Sequence, residues 1–125
     1  MIQTKPSDQF PTDFWLKCVF EDWFDPCPLN SQPIIDGLVI DWGSRAYVNP
    51  PYSDPLPWVL KAIEEKSKGC SVVMLLKLDP TTKWYRSLAE SGAHFLFVGE
   101  RLHHGGKYAS PFPSVLVVLC RLTLV

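Results

Sequence analysis

The sequence predicts an α/β sandwich with a mainly parallel sheet and an antiparallel pair of strands at its C-terminal edge. Three observations lead there. Short apolar runs alternate with stretches of helical periodicity between residues 46 and 98, the pattern of strand–helix–strand units. The run Val72-Val73-Met74-Leu75-Leu76, entered at Ser71, has no polar interruption, as in a strand buried on both faces. The last two strand-like segments, residues 93–98 and 114–122, have no helical pattern between them and suit antiparallel neighbours.

The elements follow in chain order. Residues 1–13 are polar and punctuated by proline, and read as an N-terminal arm. Residues 14–20 are mostly apolar with Lys17 as their only charge, a short helix with Thr12 or Asp13 as its cap. Trp23-Phe24-Asp25-Pro26-Cys27-Pro28 reads as a short strand stopped by prolines, which cannot donate to a ladder. Leu38-Val39-Ile40 predicts a further strand, and Gly43 opens a turn into a strand over residues 46–48. Pro57 suits the first turn of a helix, with Asp54 as a nearby cap. Trp58, Val59, Ala62 and Ile63 then recur at helical spacing, Lys61, Glu64, Glu65 and Lys68 supply the polar face, and Gly69 ends the helix. Asp79-Pro80-Thr81-Thr82 caps a second helix over residues 83–90 that stops near Gly92, and residues 99–113 form a long polar loop.

A chain of 125 residues, 46% hydrophobic and 20% charged, predicts one globular domain with a core of its own. No apolar run has the length of a membrane span and residues 1–10 lack a signal-peptide apolar region, so a cytoplasmic location is expected. Cys18, Cys27, Cys70 and Cys120 show no CxxC spacing and are expected to be buried free thiols. His103-His104 has His94 as a further metal-ligating neighbour in sequence, but adjacent loop histidines are usually solvated, and no metal site is expected. The net charge of −1 divides unevenly: residues 1–50 carry three basic and seven acidic side chains, residues 51–125 nine and six. The basic C-terminal half suits a phosphate backbone, and equally a solvated helix surface.

Asn49-Pro50-Pro51-Tyr52, followed by Ser53, carries the most chemistry. Two prolines fix an extended path and remove two backbone donors, so the loop presents carbonyls. Asn49 adds an amide and Tyr52 a flat aromatic face, equipment for accepting two hydrogen bonds from a planar –NH2 group while covering its ring. The loop follows a strand and precedes a helix, the edge at which open α/β sheets place ligands. A plain proline-rich turn is the bland alternative for a chain with 12 prolines.

In ordered combination these residues resemble the small phage-type DNA N6-adenine methyltransferases of the class I, S-adenosylmethionine-dependent fold. The likeness is carried by Phe24-Asp25-Pro26-Cys27, Asp36-Gly37-Leu38, Asp41-Trp42-Gly43, the Asn49 loop, Trp58 with Lys61-Ala62, Thr82-Lys83-Trp84, Gly99 with Arg101-Leu102, and Pro111-Phe112-Pro113-Ser114. It covers roughly residues 12–120. It implies a reduced Rossmann-like methyltransferase domain, S-adenosylmethionine as cofactor, and DNA as substrate. The chain departs from the class in having no glycine between Asp25 and Gly37, and in the shortness of that segment.

The resemblance implies that the Asn49 side-chain oxygen and the Pro50 carbonyl accept the two hydrogens of the adenine amine, that Pro51 shapes the loop, and that Tyr52 stacks on an extruded base. Asp25, Pro26, Asp36, Asp41 and Trp42 are the cofactor-binding candidates. A turn role serves Asp36 nearly as well, and a core role Trp42. Ser53, Lys83, Arg101, His103, His104 and Lys107 are candidates for DNA contact, each balanced by a solvated-surface reading. A homodimer is one way for so small a domain to complete a DNA-binding surface. Methylation of RNA adenine or of a protein glutamine uses the same loop logic, and a non-catalytic relic of the fold is the reading from another class.

Overall fold

The computed structural model describes residues 14–28, 36–97 and 113–120. Its elements are α1 (Phe14–Phe20), β1 (Arg45–Val48), α2 (Leu56–Ser67), β2 (Ser71–Lys77), α3 (Lys83–Glu90), β3 (His94–Phe97) and β4 (Ser114–Leu119). Among the described residues they form a mixed α/β fold around a four-stranded sheet of order β1-β2-β4-β3. β1 pairs with β2 in parallel, while β4 pairs antiparallel with both β2 and β3. The expected mainly parallel sheet is therefore mixed in its pairings: one is parallel and two are antiparallel. β1, β2 and β3 still point the same way, with β4 reversed between β2 and β3. The antiparallel partnership of the last two strands is present, but β4 is interior and β3 is the edge. Side chains explain the order. β4 is apolar on both faces, through Val115, Val117 and Leu119 on one and Leu116 and Val118 on the other. β3 has His94, Leu96 and Phe97 exposed, which an edge tolerates and an interior position does not.

Strand alternation sorts the core into two layers. Ala46, Val48, Val72, Met74, Leu76, Val115, Val117 and Leu119 face α2 and α3, where they meet Trp58, Val59, Ala62, Trp84 and Leu88. Tyr47, Val73 and Leu75 face the other way, onto Leu16 of α1. Phe20 stacks on Tyr47 at 4.5 Å between centroids and meets Trp23 edge-on at 5.1 Å, locking the α1 exit onto that face.

Three local expectations are corrected. Residues 37–40 form a turn and bend, not a strand. Asp36 nucleates the turn, its Oδ1 accepting the Leu38 N–H at 3.1 Å and its carbonyl the Val39 N–H at 3.1 Å. Val39 is left 74% exposed, so apolarity alone did not make a strand. Residues 23–28 contribute a single bridge, Phe24 to Ala46, because Pro26 and Pro28 cannot extend a ladder. α2 is entered through Pro55, with no side-chain cap bond, where Asp54 was expected to cap. α3 does carry its cap, Thr82 Oγ1 accepting the Tyr85 N–H at 3.3 Å. All four cysteines are free thiols, but only Cys70 is buried, and Cys18 is exposed.

A charged network fixes the end of the sheet at which β1 begins. The buried Glu65 carboxylate accepts the Trp42 N–H at 2.6 Å, the Lys61 ammonium at 3.3 Å and the Lys68 ammonium at 2.8 Å. Burial pushes this carboxyl up, but Lys68, the Trp42 N–H and Lys61 together outweigh burial and hold it below its ordinary range. None of the described helices is long and apolar enough to cross a membrane.

Candidate active site

Two loops share the carboxyl edge of β1. The first is the Asn49-Pro50-Pro51-Tyr52 loop that leaves the strand directly. Pro50 and Pro51 are buried, Asn49 and Tyr52 half-buried, and Ser53 exposed. The Pro51 carbonyl accepts the Asp54 N–H at 3.3 Å, a turn that closes the loop before α2. The second loop is reached through Phe24, whose N–H donates to the Arg45 carbonyl at 3.3 Å and whose carbonyl accepts the Tyr47 N–H at 2.9 Å. This bridge is parallel, so Asp25, Pro26 and Cys27 emerge on the same edge as Asn49.

The second loop is tightly built. Asp25 Oδ1 accepts the Cys27 N–H at 3.0 Å. Although Asp25 is solvent-accessible, the surrounding protein raises its carboxyl above the usual range, and the Cys27 N–H only partly offsets that. Burial, aided by the Asp25 charge, pushes the Cys27 thiol up to about 12, so it stays protonated and is no nucleophile near neutrality. Gly37 lies directly on Pro26: a Cβ at Gly37 would fall 1.9 Å from the Pro26 carbonyl oxygen. The glycine thus lets the Asp36 turn close on the Asp25 loop, and its carbonyl accepts the Trp42 indole N–H at 2.7 Å.

The structure divides the remaining sequence candidates. Asp41 and Trp42 precede β1 and so lie toward the opposite edge of the sheet from Asn49. Asp41 is paired with Lys68 at 2.8 Å, which with its hydrogen bond holds the carboxyl below its ordinary range. Trp42 is 1% exposed in the core, with backbone and indole N–H both engaged. Lys83 is exposed in the first turn of α3, near the Asn49 edge. Arg101, His103, His104 and Lys107 lie outside the described residues.

Beside the Asn49 loop opens a cleft of about 320 Å³. One side is Pro50, Pro51, Tyr52 and the following turn, and the other is Leu76, Lys77, Asp79, Thr82 and Trp84 at the β2–α3 connection. Sequence reading missed this second side, taking residues 79–82 only as a helix cap. The available signal was topological: two adjacent parallel strands bring their carboxyl ends together, so the loop after β2 must border the loop after β1. Asp79 Oδ1 accepts the Thr81 hydroxyl at 2.5 Å and the Thr81 N–H at 3.1 Å, bonds that lower its pKa and stiffen this side.

Residues 19–108 match the family model described as DNA N-6-adenine-methyltransferase (Dam). The chain is 32% identical over 113 residues to a DNA N-6-adenine-methyltransferase of Haemophilus phage HP1 (strain HP1c1), covering 76% of this chain and 65% of that protein. It is 34% identical over 73 residues to the DNA N-6-adenine-methyltransferase of Escherichia phage T1, covering 54% of this chain and 31% of the relative. The aligned segments thus span less than two thirds of either relative's length. With residues 19–108, more than half of the chain, matched by the family model, the chain belongs to the DNA N-6-adenine-methyltransferase (Dam) family.

Proposed function

We propose that the chain transfers a methyl group from S-adenosylmethionine to the N6 amine of adenine in DNA, in a phage context. The observation that carries this reading is the convergence of the Asp25 loop and the Asn49 loop at the carboxyl end of β1. The three codirectional strands with a reversed strand inserted between β2 and β3 support a reduced, Rossmann-like class I methyltransferase domain.

The chain's residues fit the cofactor at that edge. Asp25 and Asp36 bring carboxylate acceptors suited to ribose hydroxyls and an ammonium group, and the Pro26–Gly37 contact keeps the two segments together without a glycine-rich turn. S-adenosylmethionine, when bound, supplies an electrophilic methyl group. Asp41 and Trp42 act indirectly in this reading: Trp42 holds the Gly37 carbonyl, and Asp41 steadies the chain entering β1.

The adenine amine is a poor nucleophile because its lone pair is delocalised into the ring. Asn49 Oδ1 and the Pro50 carbonyl accept its two hydrogens, favouring a tetrahedral nitrogen and stabilising the positive charge that develops there, and the methylated nitrogen then loses one of these protons to solvent. Tyr52 covers the base, which must leave the duplex stack to reach the loop. Ser53 lines the cleft and Lys83 is exposed at the start of α3, and in this reading both meet the neighbouring phosphates. The test is Asn49→Ala. Removing one acceptor of developing charge is expected to lower the methyl-transfer rate by a factor of about 100 or more, with an unchanged circular dichroism spectrum. A folded Asn49→Ala protein with full activity would refute the assignment.

A further inference from the structure

We infer that Trp84, with Thr82 and Leu76, forms the second wall of a single-base slot whose first wall is Tyr52. The inference rests on the adenine reading above and assigns the β2–α3 connection a binding role beyond capping a helix. The cleft lies between the two connections at the carboxyl ends of β1 and β2, and Tyr52 and Trp84 both line it. Its volume of about 320 Å³ is at the small end of ligand pockets, room for one planar heterocycle and not for a stretch of strand. Its apolar components, Pro50, Pro51, Leu76 and the two aromatics, suit the faces of a ring.

The rim charges sharpen the choice of ligand. Asp54 and Asp79 border the cleft with Lys77, a local balance that disfavours a phosphate inside and leaves the phosphates to the outer surface. A neutral base held between walls is the group that fits. The wall is also rigid. Trp84 is 8% exposed and anchored in the core, the next residue, Tyr85, stacks on Phe95 at 4.7 Å, and Thr82 Oγ1 donates to the Asp79 carbonyl at 2.9 Å. Tyr52 alone would cover one face of an extruded adenine. A second wall fixed by the core restricts sliding of the ring, which keeps its amine at the Pro50 side of the slot, next to Asn49 in the chain.

The test is an indole-resolved heteronuclear NMR titration of the whole chain with adenosine, the Trp84 signal being assigned from Trp84→Phe. Adenosine is expected to shift the Trp84 indole saturably and leave the core-bound Trp42 indole in place. Trp84→Phe should bind adenosine within about threefold of the parent, and a folded Trp84→Leu about tenfold more weakly, as the loss of one stacking partner implies. A shift of Tyr52 ring signals with Trp84 unmoved overturns the second wall and leaves the adenine reading standing. Neither residue shifting, in a protein that methylates DNA, also overturns it. Neither shifting, with no methylation of DNA, removes the adenine reading and this inference together.

Discussion

Replacing Glu65 with alanine should be among the most damaging single changes in the described fold. Its side chain and that of Lys61 are 2% and 8% exposed, so the pair is buried, and breaking such a pair by removing one partner costs about 3–5 kcal/mol. Lys68 and Asp41 are 47% and 82% exposed, so solvent screens their bridge and it adds little. The change also strands the Trp42 N–H and an ammonium in the interior. Against a domain stability of about 5–15 kcal/mol, this is a large share. In urea the unfolding midpoint should fall by roughly 2 M, given slopes of about 1–3 kcal/mol per molar. The double replacement Lys61→Met with Glu65→Leu should recover part of the loss, because the Lys61 ammonium is no longer stranded, while the Trp42 N–H still lacks the Glu65 acceptor. The pH dependence has a definite sign: the folded Glu65 carboxyl lies below its unfolded value, so its stabilisation is present above the unfolded pKa and lost as pH falls through the folded one. A midpoint shift under about 0.5 M for Glu65→Ala, or a double replacement no better than the single, would refute this reasoning.

Gly37→Ala would force a methyl group to within 1.9 Å of the Pro26 carbonyl oxygen, and is expected to cost about 1–3 kcal/mol in chemical denaturation and to weaken S-adenosylmethionine in calorimetry. Asp25→Asn should raise the melting temperature at pH 7 and leave it unchanged at pH 3. The folded carboxyl titrates above its ordinary value, so its charged form opposes folding at neutral pH and this penalty vanishes once it is protonated. The same substitution should weaken cofactor binding, a trade of function against stability that a melting curve and a calorimetric titration read separately. Tyr52→Ala should reduce affinity for DNA carrying an adenine opposite an abasic site by about tenfold, read by fluorescence anisotropy; unchanged affinity counts against stacking.

Much of this fold was legible because local and long-range signals agree. Residues 71–76 are apolar on both faces and became the central β2, and Thr82 and Gly92 bracket α3 as capping chemistry predicts. The failures fall where one short-range interaction overrides pattern. Leu38-Val39-Ile40 reads as a strand, yet the Asp36 carboxylate captures the Leu38 N–H, and the segment becomes a turn. The sheet order was hidden because β4 reaches its place between β2 and β3 only through pairings remote in sequence. At the candidate site, the Asn49 loop announced itself by composition. The β2–α3 wall did not, because Leu76, Thr82 and Trp84 read as strand, cap and core until β1 and β2 are set side by side. Trp42, for which the sequence supports both a cofactor-flanking and a core role, is 1% exposed in the core, with β1 between it and the Asn49 loop.

The most direct measurement is incubation of the intact protein with unmethylated DNA and S-adenosylmethionine labelled in its methyl group, followed by mass spectrometry of the nucleosides. Labelled N6-methyladenine, lost in Asn49→Ala, is the predicted result. A folded protein that leaves the DNA unlabelled would contradict the proposed reaction. Label appearing only in RNA or in protein would move the substrate away from DNA while keeping the amine-binding loop.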